Sequence, residues 1–257
     1  MDASAQRWKL TLAWDGAGFL GWQRQPQGLT IQQAVEDALS RILGGQAVTV
    51  TASGRTDTGV HAIAQIASFE TTIRREPDAV VRGLNANLPQ QIVCLHAERA
   101  PDGFDARRWT RRKLYRYRIL SRPVRCPHRQ GRVWHLRYRL DVAAMADAAR
   151  RLMGSHDFSS FQASGCSAKH PDRTLESARV QQVDDEVHLE FVGNGFLRHQ
   201  VRIMVGTLVD VGRGRATVSS VSTILTAADR TAAGQTAPAH GLWLVWVEVG
   251  DAPRRRQ

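Results

Sequence analysis

The sequence predicts an α+β fold. Three observations carry this. Short alternating segments read as strands, and stretches with apolar residues every three to four positions read as helices. The two kinds mix with hairpins and show no regular strand–helix–strand alternation, which disfavours a doubly wound parallel sheet.

Residues 8–14 (WKLTLAW) alternate, with Trp8, Leu10, Leu12 and Trp14 on one face, so they form a half-buried strand. Asp15-Gly16 opens a loop through GWQRQPQG. Thr30 and Gln33 make a capping box. Ile31, Ala34, Val35, Ala38, Leu39 and Ile42 then give a helical stripe, ended by Gly44-Gly45. A strand is expected at 47–52, a polar loop at SGRTDTGVH, and another strand near 63–69. Pro77 and Asp78 open a second helix that stops before residues 87–89. Strands follow at 91–98 and 113–120, separated by a loop carrying FDAR at 104–107. Asp141 caps a helix running through Met153 and closed by Gly154. Residues 174–183 and 186–192 form a hairpin around Asp184-Asp185. A helix from about 197 to 211 buries Val201, Met204, Val205, Leu208 and Val211. A short helix at 218–227 precedes the final strand, LWLVWVEV. The chain is expected to divide into lobes at 1–108 and 109–250, with a disordered basic tail at 251–257.

The 257 residues carry 35 Lys+Arg against 24 Asp+Glu, a net charge of +11 and a pI near 10.8. Arg supplies nearly all of the excess, and Arg suits bidentate phosphate contact and stacking on bases. This balance favours a polyanion partner, although a GC-rich genome, where Arg replaces Lys, gives the same bias without a function. Cys94, Cys126 and Cys166 are odd in number and form no CxxC pair, so neither a disulfide framework nor a zinc site is suggested. The first ten residues lack an apolar signal region. No apolar run reaches the ~18 residues of a membrane span. The expected compartment is the cytoplasm.

The segment SGRTDTGVHA (53–62) stands out. It places an Arg, an Asp and a His within seven residues of a Gly-flanked loop between strands. Reactive groups commonly sit on such loops. A tight turn with Asp57 bonding to local backbone is the plainer reading. Asp57-Thr58-Gly59 also spells the aspartic-protease triplet. That chemistry needs two carboxylates sharing a proton. The triplet occurs once here, and its polar flanks suit a charged RNA site better than an apolar peptide cleft.

Eight blocks then fall in one order. They are WDG with GWQRQ (14–25), GRTDTGVHA (54–62), NANLP (85–89), FDAR (104–107), KLYRYRI (113–119), DFSSF (157–161), GFLRHQVRIMVG (195–206) and APAHGLWL (237–244). Over nearly its whole length the chain resembles the TruA family of tRNA pseudouridine synthases. The resemblance implies a pseudouridine synthase fold: a central, mostly antiparallel sheet with flanking helices, in two lobes around an active-site cleft. It implies isomerisation of uridine to pseudouridine at positions 38, 39 and 40 of the tRNA anticodon stem-loop, with no cofactor and no metal. It also implies a homodimer with tRNA lying across both subunits.

By the same resemblance Asp57 is the catalytic carboxylate. Such a group adds covalently to the nucleotide or stabilises a positive sugar. The residues alone leave C6 addition, C1′ attack and ribose deprotonation open. Burial drives a carboxylate toward its neutral form unless a cation lies beside it. Arg202 is the expected ion-pair partner, its plainer reading being an Arg that snorkels from a core helix. Tyr115 is the expected base-stacking aromatic. It shares a strand face with Tyr117 and Ile119, while Arg116 and Arg118 take the other. Arg55 is placed to fill the gap left by a flipped uridine or to hold phosphate, or else to form a structural salt bridge. Arg24, Arg107, Arg108, Arg111, Arg112 and Lys113 are RNA-contact candidates as a set. His61 is expected to buttress the loop through a backbone hydrogen bond. The segment AKHPDRTL (168–175) departs from the family's typical pattern there. A non-catalytic RNA chaperone on the same fold is the alternative from a different class.

Overall fold

The computed structural model describes residues 5–252. The tail expected at 251–257 therefore falls, from residue 253 on, outside the described residues. In chain order the elements are β1 (Gln6–Trp14), α1 (Ile31–Ile42), β2 (Thr51–Ala52), β3 (His61–Thr71), α2 (Pro77–Asn87), β4 (Ile92–Arg99), β5 (Thr110–Ser121), β6 (Trp134–Leu136), α3 (Val142–Arg150), β7 (Gly154–Asp157), β8 (Asp172–Val183), β9 (Glu186–Gly193), α4 (Gln200–Gly212), α5 (Ser220–Ala227) and β10 (Leu242–Val249). The architecture is α+β, as expected. Contacts divide the chain into two compact units. One holds residues up to Arg111 together with those from Leu244, and the other is Arg112–Trp243. The stretch from Leu244 to Val249, assigned by the sequence to the second lobe, belongs to the first unit.

In the first unit β1 lies between β3 and β4, antiparallel to both, and β10 lies beside β3. Trp8, Leu10, Leu12 and Trp14 are all buried, as the alternation requires. Trp8 stacks on Phe69 across the β1–β3 pair, with centroids 6.0 Å apart. Each such side chain removed from water contributes roughly 1.5–3 kcal/mol. Thr30 caps α1 by accepting from the Gln33 N–H at 3.3 Å. The α1 stripe is buried from Ile31 to Leu39. A second apolar cluster gathers Ile66, Phe104, Ala106 and Trp109 with Val247 and Val249.

The expected strand at 47–52 is only Thr51–Ala52, paired with Ser68 and Ala67. The cause lies in α1. The Val50 N–H donates to Glu36 Oε1 at 3.0 Å, and Gln32 Nε2 donates to the Val50 carbonyl at 3.1 Å. Helix side chains thus take the backbone groups that a neighbouring strand would otherwise bond.

In the second unit β5, β9, β8 and β7 are neighbours in that order with antiparallel pairings, and β6 adds to β5 in parallel. The β8–β9 hairpin turns at Asp184, with φ at 53°. The third helix ends at Arg150, not at Met153. Gly154, at φ 104°, opens β7 by pairing with Leu175. α4 starts at Gln200, because His199 takes φ 60° and the Leu197 N–H donates to Gln200 Oε1. Its buried face exceeds the predicted stripe and also takes in Ile203, Thr207 and Val209. An apolar helix with so wide a face is a core helix.

Arg116 and Arg118, on the opposite face of β5 from Tyr115 and Tyr117, are matched by carboxylates of β9. Arg116 pairs with Glu190 at 2.7 Å. Glu186, buried, accepts from Arg118 Nε and Nη2 at 2.8 Å each, and lies 3.1 Å from Arg129 and 2.9 Å from His188. Burial alone would raise the Glu186 carboxyl. The hydrogen bonds from Arg118 and His188 and the charges of Arg118 and Arg129 outweigh it, so the group sits below its ordinary value of 4.5. A carboxyl lowered on folding stabilises the fold above its unfolded value, and that contribution is lost as pH falls through the folded one. Glu186→Gln is therefore expected to cost about 1–3 kcal/mol at pH 7 by leaving the half-buried Arg118 and Arg129 without their carboxylate. The gap from wild type should narrow below pH 4.5. Urea unfolding of both proteins at several pH values checks this, and a gap that does not change with pH would contradict it.

Candidate active site

The loop at 53–60 is held from four directions within the first unit. Gln65 Nε2 donates to the Gly54 carbonyl at 2.8 Å. The Trp22 N–H donates to the Thr56 carbonyl at 3.1 Å, and the Val60 N–H closes a turn on the Asp57 carbonyl at 3.1 Å. Trp14 Nε1 donates to the Val60 carbonyl at 3.0 Å. Ser53 adds a hydrogen bond between its side chain and that of Gln65. Gly59 makes the turn possible with φ at 78°. The Asp57 side chain is half-buried at the head of this turn. The Asp57 carbonyl thus closes the turn, in a loop whose shape is fixed by side chains from β1 and β3 and by the 15–30 segment.

The WDG and GWQRQ blocks form the other wall of this loop. Gly16 lies so close to Val60 that a Cβ would stand 2.2 Å from its carbonyl oxygen. Gly21, at φ 81°, also approaches the loop closely: a Cβ there would stand 2.6 Å from the Thr56 carbonyl oxygen. Trp14 and Trp22 pack with centroids 5.6 Å apart. The buried His61 ring accepts the Gly16 N–H at Nδ1, 3.1 Å away, and lies 3.1 Å from Asp15 Oδ1. His61 is therefore a buttress between the two motif blocks, as the sequence suggests. Its partner, Gly16, is 45 positions away, and no local pattern names it.

Tyr115 and Arg202 lie in the second unit. Tyr115 is buried on β5 and meets Phe196 edge-on, with centroids 5.2 Å apart. Tyr117, on the same face, is fully buried and donates to the Pro238 carbonyl at 2.7 Å; burial pushes its phenol well up. It is a structural aromatic. Arg202 occupies the third position of α4. Its Nε–H donates to the Ala237 carbonyl at 2.7 Å, and the Ala237 N–H donates to the Arg202 carbonyl at 3.1 Å. Side chain and backbone are thus both fastened to the APAH segment, which fixes the plane of the guanidinium. Gly206 and Gly241 admit that segment: a Cβ at Gly206 would stand 1.8 Å from the Gln235 carbonyl, and one at Gly241 2.6 Å from the Tyr117 ring. The sequence shows APAH as a family block but gives no sign of this role.

The basic candidates divide by environment. Arg55 is exposed beside Asp57. Arg24 is half-exposed and pairs with Glu36 at 3.0 Å. Arg107 and Arg108 are exposed on a turn whose N–H groups donate to Asp105 Oδ1. Arg111 donates to the Ala252 carbonyl at 2.8 Å, and Arg112 pairs with Glu176 at 3.2 Å. Lys113 is buried. Among the described residues, no three His, Cys, Asp or Glu side chains gather as a metal-binding group, and no helix is long and apolar enough to cross a membrane.

The model of the tRNA pseudouridine synthase family matches residues 12–107 and 148–248. The chain belongs to the tRNA pseudouridine synthase family. Among its relatives, proteins named tRNA pseudouridine synthase A from Rhodospirillum centenum, Acidiphilium cryptum and Neisseria meningitidis are 48%, 46% and 43% identical to it. The alignments cover 93%, 97% and 97% of this chain and 97%, 99% and 94% of the relatives.

Proposed function

We infer that the protein isomerises uridine to pseudouridine at positions 38, 39 and 40 in the anticodon stem-loop of tRNA, with Asp57 as the catalytic carboxylate. The observation that carries this reading is the 53–60 loop. It holds a carboxylate in one fixed place within the family's signature block. The reaction breaks the N1–C1′ bond and forms a C5–C1′ bond. N1 gains a proton and C5 releases one. Nothing is oxidised or reduced, so the balance requires no cofactor.

Asp57 acts as nucleophile toward the nucleotide, or as counter-charge to the sugar. Arg202 pairs with Asp57 and keeps it ionised, and Tyr115 stacks on the target base, an interaction worth about 1–3 kcal/mol. Arg55 fills the space left by the flipped uridine or holds phosphate. Arg24, Arg107, Arg108, Arg111, Arg112 and Lys113 contribute positive potential along the RNA. The enzyme works as a homodimer in the cytoplasm. The family relation supports the catalytic roles, and the rigid seating of Arg202 on Ala237 within its own unit supports that of Arg202.

The test is tritium release from tRNA labelled at uridine C5, with EDTA present. Release by the wild type, confined to the three stem-loop positions, is the expected result. Binding of tRNA without release would favour the RNA-chaperone reading. Arg202→Ala is expected to lower the release rate by at least ~10²-fold, about 2.7 kcal/mol, and to lower stability by losing the bond to the Ala237 carbonyl. Unchanged kinetics in this variant would remove Arg202 from the proposed site.

A further inference from the structure

The second unit matches most of its central arginines with carboxylates. Arg112, Arg116, Arg118, Arg122 and Arg129 pair with Glu176, Glu190, Glu186 and Asp185. Other arginines of this unit have no carboxylate partner among the described residues, Arg137, Arg139 and Arg215 included. Arg137, Arg139 and Arg215 are exposed, and among the described residues none of their guanidinium groups has an ion pair or hydrogen bond. They gather at one corner. The Asp141 N–H donates to the Gly212 carbonyl at 2.9 Å, and the Arg213 guanidinium lies 4.3 Å over the Tyr138 ring. These contacts set residues 137–141 beside the end of α4, from which Arg215 follows. Asp141, the carboxylate bonded into this corner, accepts the Ala144 N–H as the cap of α3. The partial negative charge at the end of α4 accounts for Arg213. It does not account for Arg137 and Arg139, which are not on that helix.

We propose that Arg137, Arg139 and Arg215 form a phosphate-binding surface for the RNA backbone, remote from the reacting nucleotide. Exposed guanidiniums suit phosphate oxygens, which they meet with paired hydrogen bonds. Arg202 and Arg213 are separated by eleven positions on α4, about 16 Å at 1.5 Å per residue. The surface therefore reaches RNA several nucleotides from the base beside Arg202. It reads duplex shape and phosphate, not sequence. Residues 137 and 139 lie outside both stretches matched by the family model. This proposal rests on tRNA being the substrate.

The experiment measures the dissociation constant for intact tRNA and for an isolated anticodon stem-loop across a series of KCl concentrations. Wild type is compared with the triple variants R137Q/R139Q/R215Q and R137K/R139K/R215K. The Gln variant should bind tRNA at least ~10-fold more weakly at low salt. Its log–log salt slope should be shallower by about 2–3, since each lost phosphate contact removes roughly 0.7–0.9. Stem-loop binding should weaken less than tRNA binding, and the Lys variant should keep the slope. Unchanged tRNA binding by the Gln variant, or equal losses on tRNA and stem-loop, overturns the proposal. If the Gln variant unfolds, Arg215→Gln alone is expected to shift the tRNA slope by about one, and no shift counts against the proposal. A wild type that does not bind tRNA at all refutes the substrate assignment instead.

Discussion

Asp57→Asn is expected to reduce tritium release by at least ~10³-fold, about 4 kcal/mol, while tRNA affinity and stability stay near wild type. Asparagine keeps the shape of the side chain and loses the charge and the nucleophilic oxygen. The backbone of the surrounding loop has supports of its own. Its carbonyls at Gly54, Thr56, Asp57 and Val60 are held by Gln65, Trp22, the turn itself and Trp14. A stability change within ~0.5 kcal/mol is thus anticipated. Release by the variant at near wild-type rate would show that Asp57 does not carry the chemistry. A large fall in melting temperature would show that the carboxylate holds the loop.

Gly16→Ala should damage the same loop by a different route. Gly16 does not need an unusual φ; it is required by proximity. Its Cβ would meet the Val60 oxygen at 2.2 Å, the Val60 carbonyl carbon at 2.6 Å and Gly59 at 2.9 Å. All three are backbone atoms that cannot rotate away. The backbone would have to part, weakening the Gly16–His61 hydrogen bond and moving the Asp57 turn. Forced overpacking costs about 1–3 kcal/mol, and a displacement near 1 Å at a reactive group costs roughly 10²-fold in rate. Urea unfolding and tritium release should therefore fall together. Gly18 gives a contrast: it has φ 82° with nothing within 4 Å of a Cβ, so Gly18→Ala strains only its own backbone, about 1 kcal/mol. Equal effects at the two positions would contradict the steric account.

Local pattern made much of the fold legible. Alternation places Trp8 to Trp14, Thr30 announces α1, and Asp184-Asp185 marks the hairpin. What pattern missed was decided by distant partners. The 47–50 stretch reads as strand by composition, but Gln32 and Glu36 bind its backbone at Val50. Gly154 reads as a helix stop, but Leu175 draws it into a strand pair. The family's blocks point to Asp57, Tyr115 and Arg202. Of their supports, His61 was visible as a buttress. The Gly16 N–H that meets it and the Ala237 carbonyl that holds Arg202 were not, because each is a single backbone group brought in by tertiary packing.

The route of the chain also bears on how the molecule is made. The first unit closes with Leu244–Val249, which lies beside β3 and supplies Val247 and Val249 to the cluster around Trp109. Those residues are translated after the whole of the second unit. At ~5–20 residues per second, the roughly 130 intervening residues occupy the ribosome for on the order of ten seconds. Throughout that interval the earlier unit has one edge of β3 paired only by the short β2, and part of an apolar cluster uncovered. Completion order thus runs opposite to synthesis order: the half that emerges first is finished last, and nascent chains stalled before Leu244 should be the ones that engage chaperones.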